Sequence, residues 1–189
     1  MVTGTPGVGK TIVSERLAEK LGAVHIDVAD LIRREGIAGG YDEKRQTLIA
    51  DDEKLAKRVQ QIIAKTSKTV IVDGHFATEA VPKGYVTKVI LLRCHPKQLE
   101  QRMLEKGFQG AKLRENLAAE ILDVCLTDAV NAVGVEKVCE VNTTDKAVDD
   151  TIKEIVSILR KAKRCRVGVV NCLGQLEMEG SLDKYLQEF

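Results

Sequence analysis

The 189-residue chain contains no tryptophan and only three tyrosines and three phenylalanines. So few rings exclude a row of stacking platforms for unpaired bases. Neither sign of charge is in excess, with 29 Lys and Arg against 28 Asp and Glu. That balance excludes a protein that coats nucleic acid by bulk electrostatics, although a local basic patch remains open. No apolar run approaches the roughly 18 residues of a membrane-spanning helix, and the chain opens on no basic-then-apolar leader pattern. The expectation is a cytoplasmic protein without membrane contact. None of the five cysteines, Cys94, Cys125, Cys139, Cys165 and Cys172, forms a C-x-x-C pair, and no histidine cluster accompanies them. They are expected as reduced thiols, mostly in the core.

What is present is an alternation of short and long apolar patterns. β-branched runs occur at 23–27 (AVHID), 69–74 (TVIVDG), 88–93 (KVILLR) and 137–141 (KVCEV). Between them lie helical periodicities. Residues 10–21 place Ile12, Val13, Leu17 and Leu21 near one face. The segment opening at Asp51 and Asp52 places Leu55, Val59, Ile62 and Ile63 on one stripe, with acids where the helix dipole favours them. Pro96 opens another helix. The stretch 112–134 reads as one long helix stopped by Gly134, and 145–163 reads as the last. Strand and helix in alternation predict a three-layer α/β/α fold with a parallel sheet and crossover helices. The near-continuous apolar strands suit a sheet covered on both faces. A domain over 1–162 is expected, with a weakly periodic tail over 163–189 that either adds structure or wraps the surface.

Residues 4–11 read GTPGVGKT and fit the phosphate-loop pattern G-x-x-x-x-G-K-[ST]. Gly4, Gly7 and Gly9 let backbone N–H groups turn inward around phosphate oxygens. Lys10 brings a point charge to the β- and γ-phosphates, Thr11 a hydroxyl to Mg²⁺, and the following helix its positive end. Only Met1, Val2 and Thr3 precede the loop. The first strand is therefore either abbreviated or preceded by residues that the sequence does not include.

Three further stretches bear on the fate of a bound phosphate. In VDGHF, Asp73 ends an apolar strand, where a Walker-B-like acid orients the Mg²⁺ shell, and His75 lies two residues on. A short helix carries Arg33 and Arg34 ahead of a Gly-rich turn with Tyr41; a guanidinium fork suits an acceptor phosphate. Arg102 and Lys106 share a helix face, Gly107 and Gly110 permit a flap, and Lys112 and Arg114 lie beyond it.

The combination of GTPGVGKT, D-x-H, LLR and EKGF…K-L-x-E-N-x-x-x-E-I resembles the adenylate kinase isoenzyme 6 family, the CINAP family, from about Val2 to Arg160. Glu115, Asn116 and Glu120 lie in the most family-specific part. The resemblance implies a nucleoside monophosphate kinase-like fold with an acceptor-binding region near 27–50 and a short lid near 105–115. It implies ATP contacts at Gly7, Gly9, Lys10, Thr11 and Ile12, with Asp73 and His75 as a Walker-B-like pair. Lys106 stands where the family usually has Arg, and Gly110-Ala111 where relatives often carry charge.

The activity expected from these residues is phosphoryl transfer from Mg·ATP to AMP or a related nucleoside monophosphate. In it, Lys10, Asp73, His75, Arg93 and Lys106 are the catalytic candidates. Thr11 and Asp73 are the metal candidates, Arg102 and Lys106 clasp ATP, and Arg33 holds AMP. The resemblance also implies ATPase activity and a role in small ribosomal subunit maturation, with a ribosomal protein or rRNA as partner. The basic cluster at 160–166 is open to that partner or to a plain helix-end role. The rival reading is an ATPase assembly factor whose AMP kinase activity is incidental. A kinase for another small acceptor, such as CMP or shikimate, is the weaker third.

Overall fold

The computed structural model describes residues 1–42, 47–75 and 77–186. Residues 43–46 of the expected acceptor region, Phe76 and the last three residues of the tail lie outside these. The order is β1 (Val2–Thr3), α1 (Lys10–Leu21), β2 (Val24–Asp27), α2 (Val28–Glu35), β3 (Ala38–Asp42), β4 (Thr47–Ala50), α3 (Asp52–Ala64), β5 (Val70–Asp73) and α4 (Ala77–Ala80). Next come β6 (Val89–Arg93), α5 (Pro96–Glu105), α6 (Gly110–Ile121), α7 (Val124–Val133), β7 (Val138–Asn142), α8 (Val148–Leu159), α9 (Cys172–Met178) and α10 (Leu182–Leu186).

Five strands form a parallel sheet in the order β2-β5-β1-β6-β7. Alternation along each strand divides the core. Ile90, Leu92, Cys139 and Val141 pack with Val13, Leu17, Leu99 and Ile155 on one side. Val89, Leu91 and Val138 pack with Leu31, Leu55, Val59 and Ala129 on the other. The three expected layers are therefore present. β1 is short yet central: Val2 is in register with Asp73 on one side and Ile90 on the other. The phosphate loop leaves the middle of the sheet at its C-terminal edge, where ligands bind in open α/β folds.

Local chemistry explains the element ends. Asp27 and Asp51 cap α2 and α3 by accepting from Asp30 N and Lys54 N. Pro96 stands in the first turn of α5, where a missing N–H costs nothing.

The structure corrects four expectations. The long helix over 112–134 is two, because Asp123 adopts a left-handed φ of 56° and turns its carboxylate onto Arg93. The Gly-rich turn after Arg34 carries an antiparallel hairpin, β3 with β4. In the region 105–115 of the expected lid, 106–109 link α5 to the start of α6. Ile12 faces out, 40% exposed, while Val13 and Leu17 fill the core. Cys139 and Cys165 form a disulfide, with Cα atoms 5.0 Å apart. The chain after α8 runs beside edge strand β7, where Glu140 N donates to Arg166 O, and this brings together thiols 26 positions apart. Cys94, Cys125 and Cys172 are free and buried, as expected.

The tail belongs to the core. Val170, Cys172, Leu176 and Tyr185 are buried in the same cluster as α1, α5 and α8. The basic cluster 160–166 begins at the C-cap of α8, and Lys163 pairs with Glu154 of that helix. Replacing fully buried Leu176 by Ala is expected to cost about 2–5 kcal/mol in urea unfolding. A loss below about 1 kcal/mol, the range of surface substitutions, would separate the tail from the core.

Candidate active site

The phosphate loop is held in shape by its neighbours. Gly4 has φ 139°, and a Cβ there would stand 2.4 Å from the Leu92 carbonyl oxygen of β6. Only glycine lets the chain pass that backbone. Gly9, at φ 101°, turns the chain into α1. Lys10 Nζ donates to the Gly4 and Thr5 carbonyls at 2.7 and 3.1 Å, so the loop curls around its own ammonium. Burial pulls the Lys10 pKa down to about 8, with Asp73 and Glu120 opposing.

Asp73 ends β5 beside the loop and is 1% exposed. It accepts from Thr11 Oγ1 at 3.4 Å, and its other oxygen bonds His25 Nε2 on β2. Burial raises the Asp73 pKa against the opposing effect of His25. A hydroxyl and a carboxylate side by side at the loop are hard oxygen donors. They fit Mg²⁺, a hard cation that takes oxygen ligands. His75 follows in the turn after β5. Its side chain reaches the surface, yet surrounding protein and then the Lys10 charge lower its pKa and favour the neutral ring.

Over the loop lies a cavity of about 310 Å³ that brings together Gly7, Gly9, Ile12, Arg102 and Lys106 with Lys146. The cations arrive because α5 ends there. Arg102 is in its last turn, held by Gln98 Oε1 at 3.0 Å and the Thr143 carbonyl at 3.1 Å, and Lys106 is its C-cap. Thr143 itself donates to the Arg93 carbonyl at 2.9 Å, which ties this wall to the end of β6.

Two predicted residues lie elsewhere. Arg33 is exposed on the last turn of α2 and is not part of this cavity. Arg93, expected to supply charge to the reaction, is 1% exposed. Its Nε donates to Glu120 at 2.8 Å, Nη1 to Glu140 at 2.6 Å and Nη2 to Asp123 at 2.5 Å. Burial opposes its charge, but Glu120 and Asp123 more than offset this and hold its pKa above the ordinary arginine value. Every nitrogen is committed, so Arg93 is corrected from a catalytic candidate to a buried anchor.

Sequence reasoning missed His25, Lys146 and Thr143. His25 becomes legible only through register, since β2 and β5 align Asp27 with Asp73. Lys146 and Thr143 come after β7 in a turn whose closeness to α5 is a tertiary fact.

The AAA domain family matches residues 1–123. A protein of Methanocaldococcus jannaschii named "Putative adenylate kinase" is 37% identical over 170 residues, covering 90% of each chain. A protein of the same name from Pyrococcus furiosus is 36% identical, covering 90% of this chain and 88% of its own. Among solved structures, shikimate kinase from Acinetobacter baumannii in complex with shikimate superposes with a TM-score of 0.61. It is 19% identical and covers 86% of this chain and 92% of its own. A gluconokinase from Sinorhizobium meliloti gives 0.51 at 18% identity, covering 85% and 90%. The two structures speak for the fold alone, a P-loop three-layer sandwich. With a matched domain over most of its length and relatives alike along nine-tenths of it, the chain belongs to the AAA domain family and to the group of these archaeal proteins named "Putative adenylate kinase".

Proposed function

We propose that the chain is an adenylate kinase-type phosphotransferase that converts Mg·ATP and AMP to two ADP. The observation that carries this reading is one constellation: a curled phosphate loop, the Thr11–Asp73 donor pair beside it, and a cavity above it walled by Arg102 and Lys106. The kinase names of the archaeal relatives support the donor and acceptor.

Phosphoryl transfer asks little covalent chemistry of a protein and much positioning. Loop amides and Lys10 hold the β- and γ-oxygens. Thr11 and Asp73 would hold Mg²⁺, directly or through water, and the ion would supply charge neutralisation at the phosphates. Arg102 and Lys106 close on the triphosphate from α5. Arg33, on the acceptor side, holds the AMP phosphate. Lys106 offers a point charge rather than a fork, so it constrains geometry less than Arg would.

A second reading has a specific observation behind it. His75 favours the neutral ring and lies two residues from Asp73, which suits a group that positions water. In that reading the chain hydrolyses ATP as an assembly factor of the kind known in the isoenzyme 6 family. His75→Ala is then expected to lower ATP hydrolysis more than AMP phosphorylation, and equal losses would remove the role.

Assaying AMP, CMP, GMP and UMP with Mg·ATP is expected to show AMP preferred, with activity abolished in Lys10→Ala. ADP formed from ATP alone, unaffected by any acceptor, would favour the hydrolase instead. Lys10 also sets a pH dependence. The free site holds a lysine that loses its proton near pH 8, and a neutral amine attracts phosphate weakly. Affinity for Mg·ATP is therefore expected to fall as pH rises past about 8. Lys10→Met should bind weakly with that limb absent; a wild-type profile flat to pH 10 would contradict the assignment.

A further inference from the structure

Glu120 lies in the stretch that carries most of the family resemblance, and the fold puts its side chain against the phosphate loop. It is 1% exposed on the last turn of α6. Its Oε2 accepts the Thr5 hydroxyl at 2.5 Å. Its Oε1 accepts Arg93 Nε at 2.8 Å and Cys94 N at 3.0 Å, and its own carbonyl accepts Arg93 Nη2 at 2.9 Å. The carboxylate is thus aimed by one side chain and spent on another.

Thr5 is the second residue of the loop and fully buried. Glu120 grips its hydroxyl while Lys10 takes its carbonyl. These two contacts fix the chain just before Pro6 and Gly7, where it turns to face a phosphate. Behind Glu120 the network continues. Arg93 reaches Glu140, whose second oxygen accepts Val169 N at 2.8 Å in the segment leading to α9. The loop is therefore tied, through buried groups, to an element on the far edge of the sheet.

An ion network of this kind is a poor source of plain stability, since apolar side chains of similar volume would often hold the same elements at least as well. What apolar packing cannot supply is a directional bond to a hydroxyl. A loop already held in its binding shape loses less conformational freedom when the anion arrives, and that raises affinity. We propose that Glu120 is a positioning residue, oriented by Arg93, that holds Thr5 so that the loop amides stay turned toward bound phosphate. This rests on the proposed binding of a nucleotide's phosphates by the loop.

Calorimetric titration of Mg·ATP into wild type, Thr5→Val, Thr5→Ser, Glu120→Gln and the Thr5→Val/Glu120→Gln double variant tests it, with thermal unfolding in parallel. Thr5→Val keeps the shape and removes the hydroxyl. It is expected to weaken binding about tenfold, the scale of one hydrogen bond to a charged group. Thr5→Ser, which keeps the hydroxyl, is expected within about twofold of wild type on the same scale. Glu120→Gln should weaken binding in the wild-type background and add little in Thr5→Val, where the bond to Thr5 that the proposal invokes is already absent. Wild-type affinity in Thr5→Val, even with a lowered melting temperature, overturns the proposal, as do equal losses in Thr5→Val and Thr5→Ser or additive losses in the double variant. Should the Glu120 variants not fold, the Thr5 pair decides alone. A wild-type protein that binds no Mg·ATP sinks the nucleotide reading itself, an outcome distinct from wild-type binding that Thr5→Val leaves unchanged.

Discussion

A single buried guanidinium joins the parts of this fold that sequence keeps apart. Arg93 ends β6 inside the protein, where an unpaired charge would cost several kcal/mol. It is satisfied by Glu120 from α6, Asp123 from the α6–α7 junction and Glu140 from β7. Each partner has a second consequence. Asp123 takes a left-handed conformation and breaks what would be one long helix. Glu140 receives the backbone of the C-terminal segment. Glu120 reaches Thr5 in the phosphate loop. Removing Arg93 would leave Glu120 and Glu140 charged and buried without their partner, which is why elements distant in sequence are held together here.

The site is built where that anchor meets the sheet's C-terminal edge. The loop leaves β1 between β5 and β6, both in register with it and largely buried. Gly4 then slips past the backbone of β6, and α1 starts behind Gly9. Cations come from a different helix, α5, whose end is propped by the turn after β7. The donor oxygens of Thr11 and Asp73 come from a third direction. Convergence of amides, cations and hard oxygens from separate elements gives a recess lined by Arg102, Lys106 and Lys146, the kind of arrangement that phosphoryl transfer uses in place of a general base.

Local physics made much of this legible in the sequence. Glycine spacing and Lys10 located the loop, β-branched runs located four strands of the sheet, and Asp51 and Pro96 located helix starts. Contacts between distant segments were not legible. Arg93 reads in sequence as a catalytic cation at the end of a strand run, and only the alternation that turns it inward beside Glu140 reveals an anchor. The break at Asp123 was hidden because Leu122 and Val124 keep an apolar helical look across it. The pairing of β3 with β4 was hidden by the glycines of β3. The Cys139–Cys165 bond depends on a chain path with no periodic signature. His25 beside Asp73 depends on strand register. The tail has weak periodicity because its two short helices bury only a few residues each, Cys172 with Leu176 and then Tyr185.

The central claim is that this loop presents preformed backbone donors to a nucleotide's phosphates. Amide chemical shifts of labelled protein, followed by NMR while Mg·ATP is added, test it most directly. The account predicts the largest changes at Gly7, Gly9, Lys10 and Thr11, with smaller ones at Arg102 and Lys106. Saturable binding that leaves those amides unmoved while shifting residues elsewhere would contradict it.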